Sequence, residues 1–240
     1  MPRNVNVLIS GAGPVGMTLA NELARYGVSV RIVDKAPERT DKSKALVLWS
    51  RSLELLDHAG YVADFLKAGM QAHGADISNG KEVMARISLD GIDSAYPYAL
   101  MIPQSETERV LEETLAKRGV TVERSVALES FVDQGAQVQA VLRKTSGETE
   151  TLTADWLIGC DGAHSAVRHG LGFTFDGTTQ PSDWALADGH IAGLEAEDRL
   201  HIFWHKDGIL AFFPITEGRW PSAGPRATAP TRRWKRSRRS

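Results

Sequence analysis

The ten residues from Val7 to Gly16, VLISGAGPVG, leave a chain little choice of architecture. A β-rich apolar run, Val5 to Ile9, leads straight into Gly11, Gly13 and Gly16 at G-x-G-x-x-G spacing, as a buried parallel strand would. From Pro14 to Tyr26 the apolar residues Val15, Leu19, Ala20, Leu23 and Ala24 recur at helical spacing, with Pro14 in the first turn and Gly27 past the end. Strand, glycine turn and helix in that order aim free backbone N–H groups and the positive end of the helix dipole at one spot, where a pyrophosphate is stabilised. A second β-rich run, Val28 to Val33, ends at Asp34. That acid stands 21 positions after Gly13, close to the ~20 expected of a carboxylate that hydrogen-bonds an adenosine ribose. Its charge repels a 2′-phosphate, which disfavours NADP in this slot and leaves FAD and NAD open. The pattern predicts an α/β, Rossmann-like dinucleotide-binding domain.

Composition places the chain among globular proteins: 42% of the 240 residues are hydrophobic and 24% charged, enough for one large or two small domains. The N-terminal MPRNVNVLIS has no apolar core of signal-peptide type, and no later run approaches the ~18 apolar residues of a membrane span. A single cysteine, Cys160, excludes an intrachain disulfide and fits a reducing cytoplasm; at the end of an apolar run it reads as a buried small side chain. His201 and His205 fall in a β-rich run, where a spacing of four does not converge two ligands, so no metal site is expected. The formal net charge of −2 hides a split, since Glu217 to Ser240 carries eight Lys or Arg, one acid, and no Val, Ile, Leu, Met or Phe. This basic tail cannot build a core and is expected to be disordered.

The middle of the chain continues in α/β style. Ser105 and Glu108 have the S-x-x-E spacing of a capping box, opening a helix through Val110, Leu111 and Leu115 that stops at Gly119. Three β-rich runs follow, Val120 to Val132, Val138 to Leu142 and Thr149 to Ile158, with turn signals at Gln134-Gly135 and Ser146-Gly147; they predict an antiparallel meander. Its last strand runs into WLIGCDGAHSAVR, where Asp161-Gly162 precedes a small-residue helix start with Ser165 and Arg168. An acid at the C-terminal end of a strand lies where open α/β sheets bind ligands. An Asp-Gly turn with a helix cap would account for the same residues.

Taken in order, GAGPVG with Asp34, SKALVLWSRSLELLDHAG, MIPQSETERVLEETL and ADWLIGCDGAHSAVR resemble the FAD-dependent aromatic-ring monooxygenases of the p-hydroxybenzoate hydroxylase fold. The nearest likeness is to the branch with phenol and polyketide hydroxylases, and it runs from about Val5 to about Arg219. The resemblance implies FAD as cofactor, NAD(P)H as a transient co-substrate, O2, and an aromatic or polyketide small molecule. It implies no nucleic-acid or membrane partner. Gly11, Gly13, Pro14 and Gly16 would meet the FAD pyrophosphate and Asp34, with Lys35 beside it, the adenosine end. Lys44 stands where many relatives carry an arginine near the flavin, keeping the charge but not the bidentate fork. Gln104 matches a cofactor-contacting glutamine, and Asp161 the acid associated with both FAD and NAD(P)H.

The resemblance also implies the domain plan. Residues 1–74 and 102–172 would form the FAD-binding domain, 75–101 and 173–216 part of a substrate-binding sheet, and 217–240 the disordered basic tail. Trp204, Phe212, Phe213 and Pro214 could line an aromatic pocket or serve as sheet core, and Asp207-Gly208 turns a hairpin. There is no second G-x-G-x-x-G, which argues against the flavoproteins that use two dinucleotide folds. No side chain stands out as a general base, so no catalytic residue is assigned.

One departure from the family is prominent. A second flavin-binding stretch, Gly-Asp followed by Ala-Ala-His and a Pro/Gly-rich turn, has no counterpart here, and the family pattern breaks after AFFPITEGRW. The expectation is a truncated or frame-shifted chain holding part of the flavin site, with apolar surface left uncovered. Two other classes stand beside the monooxygenase: an NAD-dependent dehydrogenase on the same loop, and a non-enzymatic binder acting through the basic tail.

Overall fold

The computed structural model describes residues 4–40, 45–178, 184–190, 198–206, 208–215 and 219–225. In chain order, β1 (Asn4–Ser10), α1 (Pro14–Arg25) and β2 (Val30–Val33) form the opening unit. Next come β3 (Val47–Leu48), α2 (Ser50–His58), α3 (Val62–Ala68), β4 (Met70–Ala72), β5 (Gly74–Ser78), β6 (Val83–Ser88), β7 (Ala99–Met101) and α4 (Gln104–Lys117). The chain continues through β8 (Val122–Glu123), β9 (Val126–Asp133), β10 (Val138–Lys144), β11 (Thr149–Gly159), a 3-10 turn at Gly162–His164 and α5 (Ala166–Gly170). It closes with β12 (Trp184–His190), β13 (Arg199–His205), β14 (Gly208–Phe212) and β15 (Arg219–Pro225).

The main sheet has the order β8-β2-β1-β11-β10-β9. Its first four strands are parallel and β11, β10 and β9 are an antiparallel meander, so β11 belongs to both halves. Placing β11 beside β1 is the decisive step: Ile9 pairs with Ile158 and Ser10 with Gly159, which sets the Asp161 turn next to the glycine loop. Both faces of β1 are covered, as parallel strands require. Val7 and Ile9 join Met17, Ala20, Leu111 and Leu115 in a core under α1 and α4, while Leu8 packs with Val33, Leu142 and Leu152 on the other face. Asn21, fully buried on α1, donates from Nδ2 to the Leu111 carbonyl at 3.0 Å and so ties α1 to α4.

A second six-stranded sheet has the order β12-β15-β14-β13-β5-β6, and β3, β7 and β4 make a small third one. The buried Asp76 carboxylate accepts from Arg199 Nε at 2.8 Å, joining β5 to β13. Ala99–Met101, grouped by sequence with the substrate sheet, lies in the third sheet instead, where Met101 pairs with both Val47 and Met70.

The structure corrects three further expectations. The helix carrying Val110 starts at Gln104 with Pro103 as its N-cap and no side-chain cap, so Ser105 and Glu108 form no capping box. Glu108 is buried and turned to other work: it accepts from Gln104 Nε2 at 2.9 Å and from the Thr40 N–H at 3.2 Å. The run Val120 to Val132 is broken by Ser125, whose φ of 60° is left-handed, into β8 parallel to β2 and β9 antiparallel to β10. Lastly, Arg219–Pro225 is not disordered but pairs antiparallel with β12 over seven residues. A backbone ladder needs no Val or Ile, which is why apolar content misjudged it. Among the described residues no helix is long and apolar enough to cross a membrane.

Candidate cofactor site

The site is built at the C-terminal ends of three adjacent parallel strands, β2, β1 and β11, where a doubly wound sheet binds ligands. Each glycine of the loop has its own reason to be glycine. Gly11 has φ +103°, and a Cβ on it would sit 2.3 Å from the Cys160 carbonyl oxygen. Gly16 lies so close under the loop that a Cβ would be 2.0 Å from the Gly11 oxygen. Gly13 differs, because a Cβ there would meet nothing within 4 Å. The first and third glycines are closed in by protein, and the second opens onto the cleft where a ligand's phosphates would approach.

The end of α1 beside Gly13 is arranged for an anion. Gly13 is its N-cap, no side chain caps it, Pro14 occupies the first turn, and that turn contains no acid. The positive end of the helix therefore faces the cleft without a competing carboxylate. The loop itself is pinned on both sides: Gly11 N–H donates to the Val33 carbonyl at 2.8 Å, and Cys160 N–H to the Ser10 carbonyl at 2.7 Å.

Gly11, Gly13, Asp34, Lys35 and Asp161 line one cleft of about 260 Å³. Asp34 accepts from the Ala12 N–H at 2.7 Å through Oδ2 and from the Ala36 N–H at 2.8 Å through Oδ1. Asp161 Oδ2 accepts from the Ala166 N–H at 2.7 Å, which holds the turn into α5. Its other oxygen, Oδ1, is buried with no hydrogen-bond partner among the described residues. An unpartnered buried carboxylate oxygen is costly, and a ligand hydroxyl supplies what it lacks.

The remaining candidates are placed differently. Gln104 does not line this cleft; its side-chain amide is held by Glu108 and its N–H donates to the Ala45 carbonyl at 3.0 Å. Lys44 lies outside the described residues, as does Asp207 of the expected hairpin turn. Cys160 lines the cleft half-buried, with its thiol pushed up by burial and by the neighbouring Asp161. Phe213 packs on the core of Ala72, Ala99 and Met101 and Pro214 is buried, whereas Trp204 is exposed. Phe212 meets Phe203 edge to face at 5.6 Å.

Sequence reasoning missed two parts of the cleft wall, His164 and the start of β9 from Val126 to Leu128. His164 had a signal, standing three residues after Asp161 in a turn that must stay beside it. The β9 wall had none, because its place depends on the break at Ser125.

These features fit a dinucleotide carrying a pyrophosphate and hydroxyls. A model of the family described as "FAD binding domain" matches residues 4–236. The chain belongs to this family. Among curated members it is 35% identical over 217 residues to 6-methylpretetramide 4-monooxygenase of Streptomyces rimosus, covering 89% of this chain and 39% of that protein. It is 32% identical over 208 residues to pentachlorophenol 4-monooxygenase of Sphingobium chlorophenolicum, covering 85% and 39%. This FAD-binding chain thus spans about two fifths of the length of these relatives. Its fold is that of p-nitrophenol 4-monooxygenase PnpA from Pseudomonas putida DLL-E4, with a TM-score of 0.86 at 22% identity over 95% of this chain and 60% of that one. The anhydrotetracycline hydroxylase OxyS from Streptomyces rimosus superposes with a TM-score of 0.74 at 26% identity, over 96% and 46%.

Proposed function

We propose that this FAD-binding chain forms the cofactor-holding part of a flavin-dependent monooxygenase that hydroxylates an aromatic or polyketide ring with NAD(P)H and O2. One observation carries the reading: Gly13, Asp34 and Asp161 share one cleft at the ends of three parallel strands, with an uncapped helix start beside it. The relatives' names supply the reaction class, since monooxygenases of tetracycline-type and phenolic compounds recur among them. When bound, FAD supplies the redox chemistry that takes electrons from NAD(P)H and activates O2.

The chain's own residues bind and orient. The Gly13 backbone and the first turn of α1 hold the pyrophosphate, and Pro14 fixes the φ of that turn. Asp34 accepts from the adenosine ribose, with Lys35 on the exposed rim. Asp161 Oδ1 takes a hydroxyl of the ribityl chain. Residues 1–74 and 102–172 act as the FAD-binding domain, while 75–98 and 173–216 belong to the substrate side, where an aromatic ring is held close and water kept out.

Titration of FAD into the purified chain, followed by quenching of flavin fluorescence, tests the cofactor assignment. The expected result is saturable binding that Asp161→Ala weakens. A natively folded chain that does not bind FAD would sink it. Ring hydroxylation is checked by NAD(P)H oxidation that depends on an added phenol or anthraquinone and yields a product heavier by one oxygen atom.

A further inference from the structure

Besides the backbone hydrogen bonds that pin the glycine loop, one side chain ties it to the neighbouring strands. Ala12, between Gly11 and Gly13, is 1% exposed, and its N–H is satisfied by Asp34 Oδ2 at 2.7 Å. The other carboxylate oxygen takes the Ala36 N–H at 2.8 Å. The backbone of Asp34 is held as well: its N–H donates to the Glu123 carbonyl at 2.9 Å, and its carbonyl accepts from the Val126 N–H at 2.9 Å. Asp34 therefore joins the loop to β8 and to the start of β9, the wall of the cleft.

We propose that Asp34 is a positioning residue for phosphate as well as a ribose ligand, latching the glycine loop in its anion-binding shape through the Ala12 N–H. The phosphate half of this statement rests on the cofactor reading above; the latch does not. A buried N–H without an acceptor is costly, so removing Oδ2 releases the loop toward water. Each carboxylate oxygen has a second lone pair, so the latch and a ribose hydroxyl are compatible. Ribose and pyrophosphate then bind cooperatively, because a ribose that orders the carboxylate also orders the loop.

The test is Asp34→Asn, which offers one oxygen and puts an amide donor where the second acceptor stood. In cofactor-free protein, amide exchange in the peptide covering Val7 to Gly16 should quicken by about tenfold or more. Exchange along α4 should stay unchanged. Inorganic pyrophosphate has no ribose, and its affinity should also fall by about tenfold. Unchanged loop exchange overturns the latch, and measurable but equal pyrophosphate binding by wild type and variant overturns its role in positioning phosphate. If neither protein binds FAD or pyrophosphate but loop exchange quickens, the latch stands and the cofactor reading fails. Should Asp34→Asn not fold, Asp34→Glu keeps both oxygens and the charge but shifts them by one methylene, and the same quickening of the loop is expected.

Discussion

The three loop glycines make opposite demands, and substituting each by alanine separates folding from binding. In Gly16→Ala the new methyl lies 2.0 Å from the Gly11 carbonyl oxygen, a backbone atom that cannot swing away because Gly11 is itself pressed against Cys160. Overpacking of this kind costs about 1–3 kcal/mol or more. In Gly11→Ala a comparable overlap adds to the ~1–2 kcal/mol of a left-handed φ for an L-residue, for a total of about 2–5 kcal/mol. At ~2–4 °C per kcal/mol for a chain of this size, Gly16→Ala should melt roughly 2–12 °C and Gly11→Ala roughly 4–20 °C below wild type. Gly13→Ala meets no atom within 4 Å and keeps an ordinary φ of −78°, so its stability should fall by no more than about 1 kcal/mol. Its methyl, however, stands where phosphate must approach, and FAD affinity should drop at least about tenfold, or ~1.4 kcal/mol. Thermal unfolding by circular dichroism and flavin fluorescence quenching measure the two effects. If Gly13→Ala melts as low as Gly16→Ala, or binds FAD as wild type does, the assignment of Gly13 to the ligand is refuted.

Arg31→Lys should destabilise by about 1–2 kcal/mol, because the guanidinium forks onto both Glu123 and Glu150 and an ammonium cannot serve two carboxylates bidentately; equal denaturation midpoints would contradict this. Asn21→Ala should cost about 1–3 kcal/mol in urea denaturation, since the Leu111 carbonyl of α4 loses its second-helix donor in a buried setting. Burial and Asp161 raise the Cys160 thiol, so its alkylation by iodoacetamide should reach half its maximal rate at a pH above that of a free thiol, and bound FAD should slow it. Hydrogen bonds from Ser88 and His73 hold Asp90 below the usual carboxylate range, a contribution to stability present above the unfolded-state value and lost as pH falls through the folded one. Asp90→Asn should therefore flatten the loss of melting temperature on the acid side and leave neutral-pH ion pairing elsewhere untouched.

The legible part of the fold was the part whose cause is local. The apolar run of a buried strand, the helical spacing from Val15 to Ala24 and the distance from Gly13 to Asp34 are properties of neighbouring residues, and α1, β1 and β2 follow from them with boundaries shifted by a residue or two. The meander was legible for the same reason, through its Gly-containing turns. Ser105 and Glu108 show where local reasoning stopped. Their spacing is that of a cap, yet the Glu108 carboxylate is needed by Gln104 and the distant Thr40 N–H, and the helix starts two residues earlier without it. Arg219–Pro225 shows the converse, because strand pairing uses backbone groups rather than apolar side chains, even in a strand where Pro221 and Pro225 lack an N–H.

The sequence by itself determined that this chain makes a strand–glycine loop–helix unit with an acid at the end of the second strand, since spacing and side-chain volume act over a few residues. Only the tertiary structure decided that β11 lies beside β1, and with it that Asp161, about 150 residues from the loop, shares a cleft with Gly13. It also decided that Gly13 is open while Gly11 and Gly16 are shut, and that Asp161 keeps one oxygen unpartnered. Those facts depend on which backbone atoms come within a few ångströms across the sheet, a distance that no local pattern encodes.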